Sequence, residues 1–182
     1  VIDNSSRQNP DTQSMIRVDH AGECGAIQIY KGQLAVLGES QLADTLREML
    51  THEEEHRQKF DELIRQRRVR PTVFSPLWHV GAYAIGALTA MMGQKAALAC
   101  TVAVEEVIDA HYEEQKNALM QDHPDGSVDQ DLLQTIVECQ AEEVMHMNIA
   151  LELGAEKAIG YRALTTVIKG ISKSAIWLSK RF

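Results

Sequence analysis

Two histidines of this chain, His56 and His146, each follow a glutamate by three residues, Glu53 and Glu143. A Glu and a His three apart on a helix project from one face, so a single helix can offer a carboxylate and an imidazole to the same ion. A single glutamate precedes each pair: Glu23 lies 30 residues before Glu53, and Glu105 lies 38 before Glu143. Four carboxylates and two imidazoles, with no thiolate, suit iron or manganese. One Glu-x-x-His carries little weight, since sixteen glutamates and seven histidines in 182 residues give about 0.6 such pairs by chance. The order carries more. A half-site repeated once, with the longer spacing absorbed by the loop-like segment 122–127, is what a pseudo-symmetric bundle leaves in its sequence. A Glu from each of two helices and a Glu-x-x-His from each of two others is the ligand pattern of a carboxylate-bridged two-metal site.

Local context favours these glutamates over solvated ones. Glu105 ends the apolar run Ala96-Ala-Leu-Ala-Cys-Thr-Val-Ala-Val104, where a carboxylate is costly to bury unless paired or metal-bound. Glu23 is flanked by Ala21, Gly22 and Gly25, small residues expected to admit another helix closely. In His52-Glu-Glu-Glu-His56 the spacing selects Glu53 as the ligand and leaves Glu54 facing solvent.

Positioning such a site takes helices, and the chain reads as helix, turn, helix throughout. Asp11 or Thr12 can cap a first helix running to about Leu37, with Gly38 as its stop, and Ser40 opens a second reaching about Arg67. The two prolines of Val69-Arg-Pro-Thr-Val-Phe-Ser-Pro76 break helicity before an apolar Gly/Ala-rich stretch, about Leu77 to Met92. That stretch stands where a ferritin-like four-helix bundle needs its long crossover. Helices over about Gln94–Gln121 and from a cap at Asp129 to a stop at Gly154 complete the four. A further helix, about Ala155 to Lys180, lies outside them. The expected fold is therefore all-α: one ferritin-like domain over residues 1–182, with a hydrophobic crossover helix, an amphipathic C-terminal segment over 155–182, and residues 1–10 poorly ordered.

The sequence also points to a membrane surface. Between Pro71 and Gln94 there is no Asp, Glu, Lys or Arg, but Gly, Ala, Thr and His79 make the stretch only moderately apolar, which favours a packed or surface-lying helix over a spanning one. After Glu156 no acid occurs, while Lys157, Arg162, Lys169, Lys173, Lys180 and Arg181 are basic in a chain of net charge −8. Leu164, Val167, Ile168, Ile171, Ala175 and Leu178 share a helical face with Lys169 and Lys173 largely off it, a pattern for anchoring on an anionic membrane or docking a partner helix.

Composition removes other classes. Cys24, Cys100 and Cys139 are isolated, so neither a disulfide framework nor a four-cysteine metal module is indicated. The acidic balance, with no basic stripe on the bundle, argues against nucleic-acid binding. No Gly-x-Gly-x-x-Gly follows a strand, so no nucleotide-binding domain is legible.

Several separated motifs together resemble the demethoxyubiquinone hydroxylase family of di-iron monooxygenases. They are Ile16-Arg-Val-Asp-His-Ala-Gly-Glu23, Val69-Arg-Pro-Thr-Val73 with Pro76-Leu-Trp78, Cys100-Thr-Val-Ala-Val-Glu-Glu106, His111-Tyr112 and Glu142-Glu-Val-Met-His146. Cys24 departs from the aromatic found there in some members. The resemblance implies two Fe ions on Glu23, Glu53, His56, Glu105, Glu143 and His146, with Glu53 and Glu143 best placed to bridge. It gives His111 and Tyr112 a place in electron delivery or substrate contact, and Tyr112, seven residues after Glu105, returns to nearly the same helical face. Against that stands a buried tyrosine with its hydroxyl satisfied. The implied reaction is hydroxylation of the ring of a polyprenyl demethoxybenzoquinol by dioxygen in ubiquinone biosynthesis. Electrons would come from an external reductant such as NADH, from a reductase or through the quinone. The implied setting is the periphery of an inner membrane, on the mitochondrial matrix face or bacterial cytoplasmic face, with a lipid-binding partner protein of the same pathway. Two other readings use the same residues: a ferritin-like ferroxidase or iron-handling protein, and a non-catalytic membrane-binding scaffold.

Overall fold

The computed structural model describes residues 10–121 and 128–182. These residues form helices α1 (Pro10–Leu37), α2 (Ala43–Arg67), α3 (Ser75–Met91), α4 (Gln94–Gln121), α5 (Gln130–Glu152) and α6 (Tyr161–Arg181), and no strand occurs among them. The fold is all-α, as the periodicity predicts. The loop assigned to 122–127 and all of 1–10 except Pro10 lie outside the described residues; Pro10 itself begins α1.

Local chemistry sets the ends of these elements. Asp129 caps α5, its side chain accepting from the Leu132 amide at 3.2 Å while also pairing with Arg67 of α2. Helix α2 begins at Ala43, later than Ser40, because Ser40 is taken up in a turn in which its hydroxyl accepts from the Leu42 amide. Helix α1 starts ahead of the expected cap at Asp11 or Thr12, with Pro10 in the first-turn position where its missing N–H costs nothing. The C-terminal helix begins at Tyr161 and not at Ala155. Gly154 (φ 89°) and Gly160 (φ 69°) both adopt left-handed backbone, and the segment between them holds a single 3₁₀ turn, Ala155–Lys157.

Helices α1 with α2 and α4 with α5 form two hairpins that face each other, and the buried interior runs between them through Tyr30, Leu46, Met49, Leu98 and Val102 at one end and Ile16, Phe60, Tyr112, Leu132 and Ile136 at the other. Gln33 ties the hairpins together, donating to the Ala97 carbonyl at 3.1 Å. The crossover helix α3 lies along α1, and α6 lies against α4 and α1. The close approach of α1 and α3 is made by Gly32 and Gly86: a Cβ on either would collide with a backbone carbonyl, that of Tyr83 or of Ile29. Gly22 and Gly25, expected to play this part, have no heavy atom near the Cβ positions they lack. They face a cavity instead.

Candidate metal centre

Each of the four bundle helices sends its predicted residues to one buried place. Glu23 comes from α1, Glu53 and His56 from α2, Glu105 from α4, and Glu143 and His146 from α5, and none is more than 2% exposed. Ligand atoms of Glu23, Glu53, His56 and Glu143 lie within 4.8 Å of one another, as do those of Glu53, Glu105, Glu143 and His146. Glu53 and Glu143 belong to both groups. The arrangement is thus two adjoining positions, each with one private carboxylate, one imidazole and two shared carboxylates.

The inward atoms are close without being hydrogen-bonded. His56 Nδ1 lies 3.2 Å from Glu143 Oε1 and 3.5 Å from Glu23 Oε2. His146 Nδ1 lies 3.2 Å from Glu53 Oε1 and 3.4 Å from Glu143 Oε2. Both oxygens of Glu53 and Glu143, Oε2 of Glu23 and Glu105, and Nδ1 of both histidines are buried with no hydrogen-bond partner. So many orphaned acceptors in one dry place would be costly to leave unsatisfied. A pair of hard cations would satisfy them, and the oxygen-rich donor set fits iron or manganese.

The protonation pattern expresses the same tension. Burial, followed by the charge of Glu143, raises the Glu53 and Glu105 carboxyls well above the usual range. Burial opposes the charged forms of Glu143 and His56 too, but the imidazoles hold Glu143 low, and the Glu143 and Glu23 carboxylates push His56 up to about 11. A bound cation would take the place of the retained protons.

Around this set lies a reciprocal frame that sequence reasoning only half found. Tyr112 of α4 donates to Glu23 Oε1 of α1 at 2.6 Å, and Tyr30 of α1 donates to Glu105 Oε1 of α4 at 3.0 Å. Each tyrosine stands seven residues after the other half's glutamate's counterpart, Tyr30 after Glu23 and Tyr112 after Glu105. The two-turn spacing that singles out Tyr112 would have found Tyr30 as well. Both phenols are raised well above 10, by burial first and by neighbouring carboxylates second, so they remain donors. The outward nitrogens are also engaged: His56 Nε2 meets Glu142 Oε2 at 2.9 Å, and His146 Nε2 meets His52 Nδ1 at 3.0 Å. Neither Glu142 nor His52 was separable from surface residues by sequence alone. Glu54, half exposed beside Lys31, faces outward as expected.

His111 is not brought to the centre. It sits near the surface, with Nε2 at 3.6 Å from Asp19 Oδ1 and 3.0 Å from Gln115 Nε2, beside a cavity of about 70 Å³ bounded by Ser14, Met15 and Lys180. Asp19 is fully buried and its carboxyl is raised by desolvation against the opposing pull of His111 and Gln115.

A larger cavity, about 270 Å³ and almost wholly apolar, lies between α1, α3 and α6. Its floor is the small-residue strip Ala21, Gly22, Gly25 and Ala26, with Val104 and Ile108 of α4 beside it. Gly22 adjoins Glu23, and Val104 adjoins Glu105, so the strips that wall the cavity also carry both private carboxylates. Helices α3 and α6 flank the other side and turn apolar residues to solvent: Leu77, Val80, Leu88 and Met91 on α3, with Met92 just after it, and Val167, Ile171 and Trp177 on α6. The single face expected for α6 is therefore divided, since Ile168 is buried, Ile171 and Ala175 line the cavity, and Val167 is exposed. Lys169 pairs with Glu106. Among the described residues no helix is long and apolar enough to cross a membrane.

An antiparallel helical bundle with a buried centre of four carboxylates and two imidazoles is the class of protein that can hold two adjacent hard cations. The sequence model of the family described as "Ubiquinone biosynthesis protein COQ7" matches residues 10–179, and the chain belongs to that family. It is 47% identical over 167 residues to "3-demethoxyubiquinol 3-hydroxylase" of Rhodospirillum rubrum, covering 91% of this chain and 76% of that protein. It is 46% identical over 180 residues to the human "NADPH-dependent 3-demethoxyubiquinone 3-hydroxylase, mitochondrial", covering 99% and 81% respectively. The Dictyostelium discoideum protein of the same name is 46% identical over 169 residues, covering 93% and 76%.

Proposed function

We propose that this chain is a membrane-peripheral di-iron monooxygenase that hydroxylates the ring of a polyprenyl demethoxybenzoquinol with dioxygen, in ubiquinone biosynthesis. The observation that carries this reading is the placement of an apolar cavity against the same two helices that carry Glu23 and Glu105. Glu23, Glu53 and His56 on one side, and Glu105, Glu143 and His146 on the other, would hold the two irons, with Glu53 and Glu143 shared between them. When bound, the pair supplies the electrons that activate dioxygen for transfer of one atom to an aromatic ring.

The protein's own contribution is placement and exclusion. A cavity of about 150 Å³ is enough for an unsubstituted benzene ring. The 270 Å³ here accommodates a ring with several substituents, and a polyprenyl tail would leave past Leu77 of α3 and Ile171 of α6, which line the cavity and are also exposed. The cavity walls offer little polar surface and keep water from the reacting ring. Tyr30 and Tyr112 hold one oxygen of Glu105 and Glu23, leaving the other oxygen of each free for a metal.

Apolar side chains on α3 and α6 flank the cavity mouth, and the basic residues of α6 suit an anionic surface, so the quinol would enter from a bilayer without being carried through water. The inner membrane is the setting we assign, with a lipid-binding protein of the same pathway as presenting partner. Electrons come from outside the chain. The names of the human and Dictyostelium relatives specify NADPH, which supports a reduced nicotinamide as the source.

The test is reconstitution with ferrous iron without oxygen, followed by dioxygen, reductant and a short-chain demethoxyquinol. Hydroxylated quinol is the expected product. Ferric mineral alone would instead indicate iron handling, and activity that survives Glu105→Ala would indicate a role without the metal centre.

A further inference from the structure

The two halves of the centre use the same residue types at nearly every place, which makes the one exchange of residue type informative. Each position takes one private glutamate, one histidine Nδ1 and the shared pair Glu53 and Glu143. Each private glutamate accepts a hydrogen bond from a buried tyrosine of the opposite half. The residue preceding each shared glutamate reaches across to the outward nitrogen of the opposite histidine, and here the symmetry fails. Glu142 meets His56, but His52 meets His146.

We propose that this exchange makes the two metal positions unequal, with the Glu23–His56 position the tighter and more electron-rich, and the Glu105–His146 position the weaker. The inference rests on the metal-binding reading above. In both histidines Nδ1 faces the carboxylates, so a metal on Nδ1 leaves the proton on Nε2, and that N–H donates outward. For His56 the acceptor is a carboxylate oxygen at 2.9 Å. For His146 the partner is Nδ1 of another imidazole, that of His52, at 3.0 Å, with the two rings parallel at an interplanar angle of 1°.

A hydrogen bond to an anion is roughly twice as strong as one between neutral groups and pulls the imidazole further toward imidazolate. The His56 ring is then the better donor and the better support for a higher metal charge. Glu142 is partly exposed, which moderates the effect without reversing its sign. The second position, backed by an imidazole in place of a carboxylate, gains no such negative charge. The tyrosine bonds differ in length, 2.6 Å to Glu23 and 3.0 Å to Glu105, but both come from a neutral phenol, whereas the outer partners differ in kind, a carboxylate against an imidazole, and that difference sets the sign.

The experiment uses the full chain and three variants, Glu142→Gln, His52→Gln and His52→Glu, with far-ultraviolet circular dichroism as the folding control. Anaerobic ferrous titration followed by calorimetry reads affinity, and Mössbauer spectra of the protein loaded with two iron-57 ions read each position separately. The expected parent result is two unequal binding steps and two distinct doublets. Glu142→Gln should weaken the tighter step about 10- to 100-fold and shift one doublet only. His52→Glu, which restores the missing carboxylate, should tighten the weaker step and bring the doublets together, while His52→Gln should not. Equal steps and a single doublet in the parent, unchanged by His52→Glu, would overturn the inequality and leave the metal centre standing. No tight iron binding in a folded parent would overturn both.

Discussion

Tyr112 and Tyr30 show how a single side chain is fixed by its surroundings. Each hydroxyl holds one oxygen of a buried glutamate, and without it that oxygen joins the unsatisfied atoms around the centre. Tyr112→Phe should cost about 1–3 kcal/mol of stability in the metal-free protein, the penalty for a buried acceptor left unpaired, read as a shift of the urea midpoint. A midpoint equal to the parent's would show that the bond to Glu23 carries no weight. The retained protons give a second prediction. Glu53 and Glu105 are raised, and His56 at about 11 is protonated throughout the neutral range, so metal must displace these protons to bind. Affinity for ferrous iron should therefore rise with pH between 6 and about 8, with protons released into the buffer on binding. Calorimetry in buffers of different ionisation enthalpy measures that release, and proton uptake would contradict the assignment. His111 behaves otherwise. Its sequence neighbour reaches the centre and it does not, because adjacent helical residues point about 100° apart.

Among the elements, α3 and α6 carry the features that the bundle alone does not need. Val80 is 71% exposed on α3, so Val80→Asp should change stability by no more than about 0.5 kcal/mol while lowering binding to anionic vesicles. Unchanged vesicle binding would remove α3 from the membrane contact. Gly25→Leu acts from the other side of the cavity. Open space lies at its Cβ position, so the new side chain fills the cavity without striking backbone, and quinol turnover should fall while iron content is kept. Turnover at the parent's level would place the substrate elsewhere. Helix identities and most bounds were legible because the apolar period, the Pro71 and Pro76 breaks and the Asp129 cap are local signals. The C-terminal helix was read six residues too early, since a pair of left-handed glycines enclosing a 3₁₀ turn looks, in sequence, like continued helix. The roles of Gly22, Gly25, Gly32 and Gly86 depend on which neighbour lies above each, and pairwise helix packing is not a local property.

For the whole molecule, the pseudo-repeat explains why a site assembled from four helices could be read from a linear chain. Glu23, Glu53, His56, Glu105, Glu143 and His146 recur in order because two similar hairpins face each other, and the fold brings all six together. The cavity was not legible, because it belongs to the gap that α3 and α6 leave beside α1 and has no motif of its own. Site and cavity together turn a helical bundle into a proposed oxygenase that works at a membrane surface. The most direct measurement is the iron content of anaerobically reconstituted protein, taken together with the product formed from a short-chain demethoxyquinol under dioxygen and NADPH. The account predicts two irons per chain and a hydroxylated quinol, with both lost in Glu143→Ala while the protein remains helical. Hydroxylation that persists in that variant, or two bound irons that yield only ferric mineral, would contradict it.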